Sequence, residues 1–467
     1  MKTTAPCKRT SVHSGYGLCC LLITMAACRS YPRTTPIGPY TSAPAGMRAD
    51  RPQLPDFTIN SDLDTYIRYA LLNNPGLEAA FQDYVAAMER IPQVTALPDP
   101  RLSYRYYIQE VETRVGPQQH AFGLSQTLPW FGKLELQGQI ASRAADAAKE
   151  RFDAKKDSLV AEVIDAYLEY YHLGRAVEVV RGNRDLIQQL ERVARTRYGA
   201  GAANHPDIIR AQVELGQLEN QLASLGDRKA PFVARLNAAL NRPKSTPIPF
   251  PTQADVHPLG APDEEVLGWI ATSNPELLAM RHEIDAARAA AERAEKDFYP
   301  DFTFGVDYLA TGDARMSGVA GSGDDAVIAG VSFNLPLARG KYRAAVREAQ
   351  ARQFSTALKR GDLLNKFQAE AATALFRIRD AERQIALYRD TLLPKARESL
   401  ATTQASYSAG SGSFSDLVDA QRMLLSFELS FERSRADHGQ WRAVLERLVG
   451  HAIPTRDSDV EQPTKEN

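Results

Sequence analysis

Apolar positions along this chain follow two rhythms, and each rhythm occurs twice. Residues 63–94 carry a helical spacing interrupted at Asn74-Pro75, and the same dipeptide at Asn274-Pro275 opens a second helical run 200 residues later (274 minus 74). After each run comes a proline and then strict alternation. Leu102, Tyr104, Tyr106 and Ile108 alternate with Ser103, Arg105, Tyr107 and Gln109, and Phe302, Phe304, Val306 and Tyr308 alternate with Thr303, Gly305 and Asp307. Each strand passes through a polar, glycine-containing loop (residues 110–118 and 311–325) into a return strand, of which Val327, Ala329, Val331, Phe333 and Leu335 hold one face of the second. Strands of about ten residues, apolar on one side and polar on the other, suit the wall of a transmembrane β-barrel. A soluble hairpin with one buried face is the alternative. The aromatic content of the apolar side favours lipid contact.

Both return strands end in Leu-Pro (Leu128-Pro129 and Leu335-Pro336), and a helical pattern then runs for roughly 65 residues, about 100 Å of helix. Leu159, Val163, Ala166, Tyr170, Leu173, Val177 and Val180 step by four and three, as do Phe367, Ala371, Ala374, Ile378, Ala381, Ile385, Tyr388 and Leu392. The returning helices keep the spacing with Leu215, Leu218, Leu222 and Leu225, then with Leu417, Ala420, Leu424, Phe427 and Phe431. A 3.5-residue period sustained this long predicts coiled-coil packing. Pro231 and Pro394 predict kinks inside these helices.

Between the long helices lie two matching turns. Residues 198–212 read YGAGAANHPDIIRAQ and residues 407–421 read YSAGSGSFSDLVDAQ, so that Tyr198, Gly201, Asp207, Ala211 and Gln212 match Tyr407, Gly410, Asp416, Ala420 and Gln421 at one offset of 209 (407 minus 198). These are the expected tips of helical hairpins, with glycine supplying positive φ and Ser413 or Ser415 capping the second returning helix. Asp207 and Asp416 fall in the first helical turn, where the helix dipole favours an acid. Asp419, three residues on, shares a face with Asp416. Helix capping alone and a functional acid pair both fit these positions.

The paired Y-x-x-G turns followed by D-(I/L)-(I/V)-x-A-Q resemble the two periplasmic tips of the TolC-type outer-membrane efflux family, and the repeat that carries them covers nearly all of the chain after about residue 60. The resemblance implies a mainly α fold with a small transmembrane β part. Four strands are too few to close a barrel. The chain must therefore oligomerise, and the resemblance implies that three chains pool twelve strands in one barrel and continue it as a periplasmic tunnel of coiled-coil helical hairpins. The implied function is a passive exit duct for drugs or metal cations, delivered by an inner-membrane pump through a periplasmic adaptor, or else a type I protein-secretion outlet. By the same resemblance Asp416, Asp419, Asp207 and Tyr407 form the periplasmic gate, and Gly201, Gly410 and Tyr198 lie on the adaptor-contacting tips. The run QTLPWFGK at residues 126–133 is similar to the strand-to-helix junction of the heavy-metal branch. Trp130 and Phe131 would then be interfacial aromatics. The rival from another class is a non-conducting coiled-coil lipoprotein scaffold, which explains the helices and not the alternating strands.

Composition adds boundaries. The chain has 467 residues and a net charge of -1, with no basic stripe of the kind that nucleic-acid binding needs. Lys2, Lys8 and Arg9 precede a short apolar run at residues 18–27, ending in Met25-Ala26-Ala27-Cys28. That pattern reads as a signal peptide with a lipobox, in which Cys28 receives acyl chains such as palmitate, and ordinary cleavage is the alternative. Arg29 after Cys28 favours the outer membrane over inner-membrane retention. The expected organisation is a signal peptide (1–27), an extended tether (28–60), a first repeat (61–241), a proline-rich linker (242–262), a second repeat (263–450) and a disordered tail (451–467). No nucleophile sits with a base, and all four cysteines lie at or before Cys28. His120, His172, His282 and His438 read as packed or solvated side chains. An enzyme, a metal site and a cofactor are therefore not expected.

Overall fold

The computed structural model describes residues 57–58, 61–201 and 204–455. Helix α1 (Leu63–Asn73) is capped by Asp62, whose Oδ1 accepts from the Thr65 amide at 2.9 Å. Helix α2 (Pro75–Thr95) starts on Asn74, whose side-chain oxygen accepts from the amides of Gly76 and Leu77 at 2.8 and 3.1 Å. Proline at the first helical position needs no amide partner, so Asn-Pro both stops one helix and starts the next. The dipeptide does the same between α5 (Asp263–Ser273) and α6 (Pro275–Lys296), where Asn274 accepts from the Leu277 amide at 3.0 Å. Each asparagine also turns its NH₂ to the last helix of its own repeat: Asn74 donates to the Ala239 carbonyl at 3.1 Å and Asn274 to the Leu448 carbonyl at 2.9 Å. Two separate clasps thus close the two repeats in the same way.

Strands β1 (Arg101–Thr113), β2 (Gly116–Leu128), β3 (Phe302–Thr311) and β4 (Ala326–Phe333) form one antiparallel sheet in that order. The β2–β3 pairing joins the repeats and leaves β1 and β4 as edges. Its register lines up Leu102, Leu124, Val306 and Ala329, then Tyr104, Phe122, Tyr308 and Val327, on one face. Those side chains cover one another little; Leu102 is 77% exposed. The opposite face carries Ser103, Asp307 and Arg105, with Arg105 Nη2 donating to Asp307 Oδ1 at 2.9 Å, and the Thr127 and Thr303 hydroxyls 2.9 Å apart.

The first polar loop is shorter than the expected 110–118. Both strands extend into it and leave only Arg114 and Val115 as the turn. A register shift between Tyr106 and Val111 absorbs the extra residues on β1. Gly116 at φ 136° lets the turn pass the second loop, since a Cβ there would lie 1.7 Å from the Gly312 carbonyl oxygen.

Helix α3 (Lys133–Gly199) has 67 residues, about 100 Å by helical rise. It returns as α4 (His205–Ala239). The second hairpin is α7 (Arg339–Leu387), a π turn (Tyr388–Leu392) and α8 (Leu393–Ala409), returning as α9 (Phe414–Val449). The predicted seam is buried from Leu159 to Leu173 and from Phe367 to Ile385. The two prolines differ. Helix α4 continues through Pro231, whereas the turn before Pro394 widens to π, which frees the carbonyl a proline cannot bond.

At the junction after β2, Gly132 at φ 84° leads into α3, and the Trp130 ring stacks on Tyr299 with centroids 4.9 Å apart. Phe131 alone of the two aromatics expected at the interface stands fully outward. Lys133 is buried there, with Nζ donating to Asp301 Oδ1 at 3.0 Å.

The linker 242–262 runs between α4 and α5 and packs on the core: Ile248, Ala254, Leu259 and Ala261 are buried, and the Tyr170 hydroxyl donates to the Ile248 carbonyl at 2.8 Å. Residues 451–455 are no disordered tail, because Ile453 enters the core of α5, α7 and α9, and the Gly260 amide donates to the Pro454 carbonyl at 2.9 Å. Phe57, assigned to the tether, stacks on Tyr66 at 4.2 Å. Cys28, the signal segment and residues 456–467 lie outside the described residues. Among the described residues no helix is long and apolar enough to cross a membrane.

Candidate functional site: the hairpin tips

The turn glycines take the conformation their type predicts, Gly201 at φ 75° and Gly410 at φ 85°. Gly410 ends α8, and its amide donates to the Tyr407 carbonyl at 3.1 Å. Ser413, not Ser415, is the cap of α9: its Oγ accepts from the Ser415 amide at 3.0 Å. Asn204 heads α4 without a side-chain cap bond. The first turn therefore relies on Asp207 and the helix dipole where the second has a hydroxyl cap.

Tyr407 and its repeat partner Tyr198 are treated differently. Tyr407 is 3% exposed, its ring edge-on to Phe414 at 5.3 Å and beneath the Arg197 guanidinium at 4.7 Å. Such a cation over an aromatic face contributes roughly 0.5–2 kcal/mol, more when water is excluded. The Tyr407 hydroxyl has no hydrogen-bond partner among the described residues, so the ring and not the oxygen makes the contact. Burial raises its pKa above the ordinary tyrosine value, the Asp207 carboxylate adds to the rise, and Arg197 opposes it. Tyr198 is 48% exposed and leans on His205 at 5.6 Å.

Tyr407 and Asp207 therefore sit within electrostatic reach of one another, while Asp416 and Asp419 stand apart on the exposed side of α9. Asp416 makes no ion pair among the described residues, and Asp419 has Arg422 at 3.9 Å. The tip glycines and Tyr198 are exposed.

Several contacts the tips depend on escaped the sequence reading. Arg197, from the end of α3, covers Tyr407 on α8. Buried Gln421 on α9 donates to Asn183 Oδ1 on α3 at 2.8 Å. Arg422 on α9 donates to buried Glu214 on α4. A signal existed for two of them: Glu214 and Gln421 interrupt seams otherwise filled by Ala211 and Leu218 or by Leu417 and Leu424. A polar group in such a slot calls for a partner on the facing helix. The repeat hid Arg197 and Arg422, since at the 209-residue offset their counterparts are Ser406 and Val213.

Known proteins place this architecture. The chain is 24% identical over 403 residues to nodulation protein T of Rhizobium leguminosarum bv. trifolii, covering 83% of this chain and 85% of that one. It is 21% identical over 392 residues to the cobalt-zinc-cadmium resistance protein CzcC of Cupriavidus metallidurans, covering 83% and 90%. The crystal structure of the outer membrane protein VceC from Vibrio cholerae superposes with a TM-score of 0.68 at 18% identity, covering 84% of this chain and 97% of VceC, which shows a shared fold. The outer membrane efflux protein model matches twice, over residues 66–242 and 267–451, once for each structural repeat. With both of its halves matched and the TolC-type fold in place, the chain belongs to the outer membrane efflux protein family.

Proposed function

We propose that three copies of this chain assemble as the outer-membrane channel of a tripartite efflux system. The observation that carries the reading is the four-stranded sheet, apolar and exposed on one face, polar on the other, with both edges unpaired, at the start of helices about 100 Å long. Exposed sheet edges invite pairing. Joining β4 of one protomer to β1 of the next closes twelve strands, with the apolar face to lipid and the Arg105–Asp307 face to the lumen. The helices support the same assembly: the first buried residue of α7 is Phe367, and Phe354 and Leu358, 69% and 75% exposed, lie on one face of its earlier turns where a neighbouring protomer would pack.

In this reading the duct is passive, driven by a pump and adaptor that meet the tips at Tyr198, Gly201 and Gly410. Its cargo is what the pump supplies, drugs or metal cations, and the similarity to a metal-resistance protein supports the second. Asp416 and Asp419 contribute six exposed carboxylates to one aperture, and Asp207 and Tyr407 hold the hairpins around it. Cys28 carries the acyl anchor.

Single-channel recording in planar lipid bilayers tests the proposal. Purified protein should give stepwise, cation-preferring conductance. A trimer-sized particle that never conducts would instead be a coiled-coil scaffold.

A further inference from the structure

Glu214 places an acid where the seam of α4 needs an apolar residue. It is 4% exposed, between buried Ala211 and Leu218. Its Oε2 accepts from Arg422 Nε at 3.0 Å and from Nη2 at 2.5 Å, across the contact of α4 with α9. The remaining nitrogen of the same guanidinium, Nη1, lies 3.9 Å from Asp419 Oδ1, one turn nearer the tip. One cation therefore faces two carboxylates, an inner one that is buried and an outer one that is exposed.

The two demands are unequal. A buried carboxylate without a partner is strongly destabilising, so the close, two-nitrogen contact goes to Glu214. Asp419 is 67% exposed on its side chain and solvated, and receives the weaker, longer contact. Asp416, a turn earlier on α9, has no cation of its own among the described residues. How much negative charge this end of α9 shows to solvent thus depends on where Glu214 holds Arg422.

We propose that Arg422, positioned by Glu214, determines the cation preference of the aperture by setting the effective charge of Asp419, in addition to tying the second hairpin to the first. The proposal rests on the tips being the gate. It has a signature that a tie alone lacks. Arg422→Gln removes the cation beside Asp419 and should strengthen the preference for cations, whereas Glu214→Gln releases the guanidinium toward Asp419 and should weaken it. A tie broken from either side gives the same change in both variants.

The experiment is reversal potential across a KCl gradient, with channels of the full-length chain and trimer content checked on the same preparations. Asp419→Asn serves as reference and should lower the cation-to-anion permeability ratio. We expect Arg422→Gln to raise that ratio roughly twofold and Glu214→Gln to lower it by a similar factor, in keeping with a surface potential of a few kT. Because Arg422→Gln leaves Glu214 buried and unpaired, the double variant Glu214→Gln/Arg422→Gln provides a folded comparison in which two amides meet, and it should keep the raised ratio. Equal shifts in the two single variants, or a double variant like the wild type, would overturn the proposal while Asp419→Asn still upholds the gate. If Asp419→Asn leaves the ratio unchanged, the gate reading and this proposal fall together.

Discussion

Tyr198 and Tyr407 hold the same place in two copies of one motif, yet one leans on His205 in solvent and the other is enclosed under Arg197. The turn glycines, at φ 75° and 85°, match in both copies. What differs is who faces whom: the first hairpin supplies Arg197, Glu214 and Asn183, and the second places Tyr407, Arg422 and Gln421 against them. At the other end of the repeats Asn74 and Asn274 make the same cap and the same clasp. Duplication has kept the Asn-Pro clasp within each repeat and changed the contacts between the hairpins. The first hairpin acts as the frame on which the second is registered, and only the second carries the pair of exposed acids.

The comparison predicts equal responses where the repeats agree. In the sheet, Leu124 of β2 and Val306 of β3 are direct partners on the apolar face, as are Phe304 and Val331 on the neighbouring pair of strands. Leu124→Arg and Phe304→Arg should each cost roughly 2–4 kcal/mol per chain near the bilayer midplane and abolish insertion of the trimer. Thr303→Arg, on the polar face, should insert normally and change conductance. Heat-modifiable migration after outer-membrane fractionation reads all three, and equal tolerance on both faces would refute the barrel.

Unequal responses are expected at the tips. Tyr407→Ala empties a buried site and should destabilise the tip by about 3 kcal/mol. Tyr198→Ala, on an exposed ring, should stay within about 0.5 kcal/mol. Tyr407→Phe should be nearly silent, because the hydroxyl it deletes has no hydrogen-bond partner among the described residues. Amide hydrogen exchange over residues 198–212 and 407–421 measures these, and similar loss of protection in both alanine variants would break the asymmetry.

Periodicity made the scaffold legible. Four-three steps found the seams of α3 and α7, alternation found the sheet face, and Asn-Pro marked two helix starts. The pattern fell short where a long-range partner decided the outcome. Residues 110–118 look like a loop because Glu110 and Glu112 are polar, but Arg315 from the second loop lies 3.7 and 3.0 Å from them and the strands run on. The 242–262 and 451–455 segments have no period at all, and hydroxyls of buried tyrosines and a short bridge from Leu259 to Thr455 fix them. At the tips the repeat revealed which residues matter and concealed their partners, since Arg197 and Arg422 lie outside the matching positions.

A further small effect is expected at a site where the second repeat already carries the substitution. Seam residues Leu159, Val163, Ala166, Tyr170 and Leu173 align with Phe367, Ala371, Ala374, Ile378 and Ala381 at an offset of 208 (367 minus 159), which sets Asn365 opposite Asp157. Asn365 is exposed, whereas Asp157 is half-buried, and burial pushes its carboxyl from 3.8 up to about 6, with Asp153 adding repulsion against the attraction of Lys156. A folded-state pKa above the unfolded value means that the folded chain holds the proton more tightly. Its contribution to stability is complete below 3.8 and is lost as pH rises through 6, so at neutral pH an ionised Asp157 opposes folding. Asp157→Asn keeps the shape without the charge. It should raise stability at pH 7.5, by no more than about 1 kcal/mol because solvent reaches the group, and the gain should shrink as pH falls toward 3.8. Denaturation midpoints of wild type and variant at a series of pH values give the curve. A difference that does not vary with pH would show that the carboxylate is not what burial penalises, and a loss of stability at pH 7.5 would mean that Asp157 has a cationic partner in the assembled trimer that the second repeat does without.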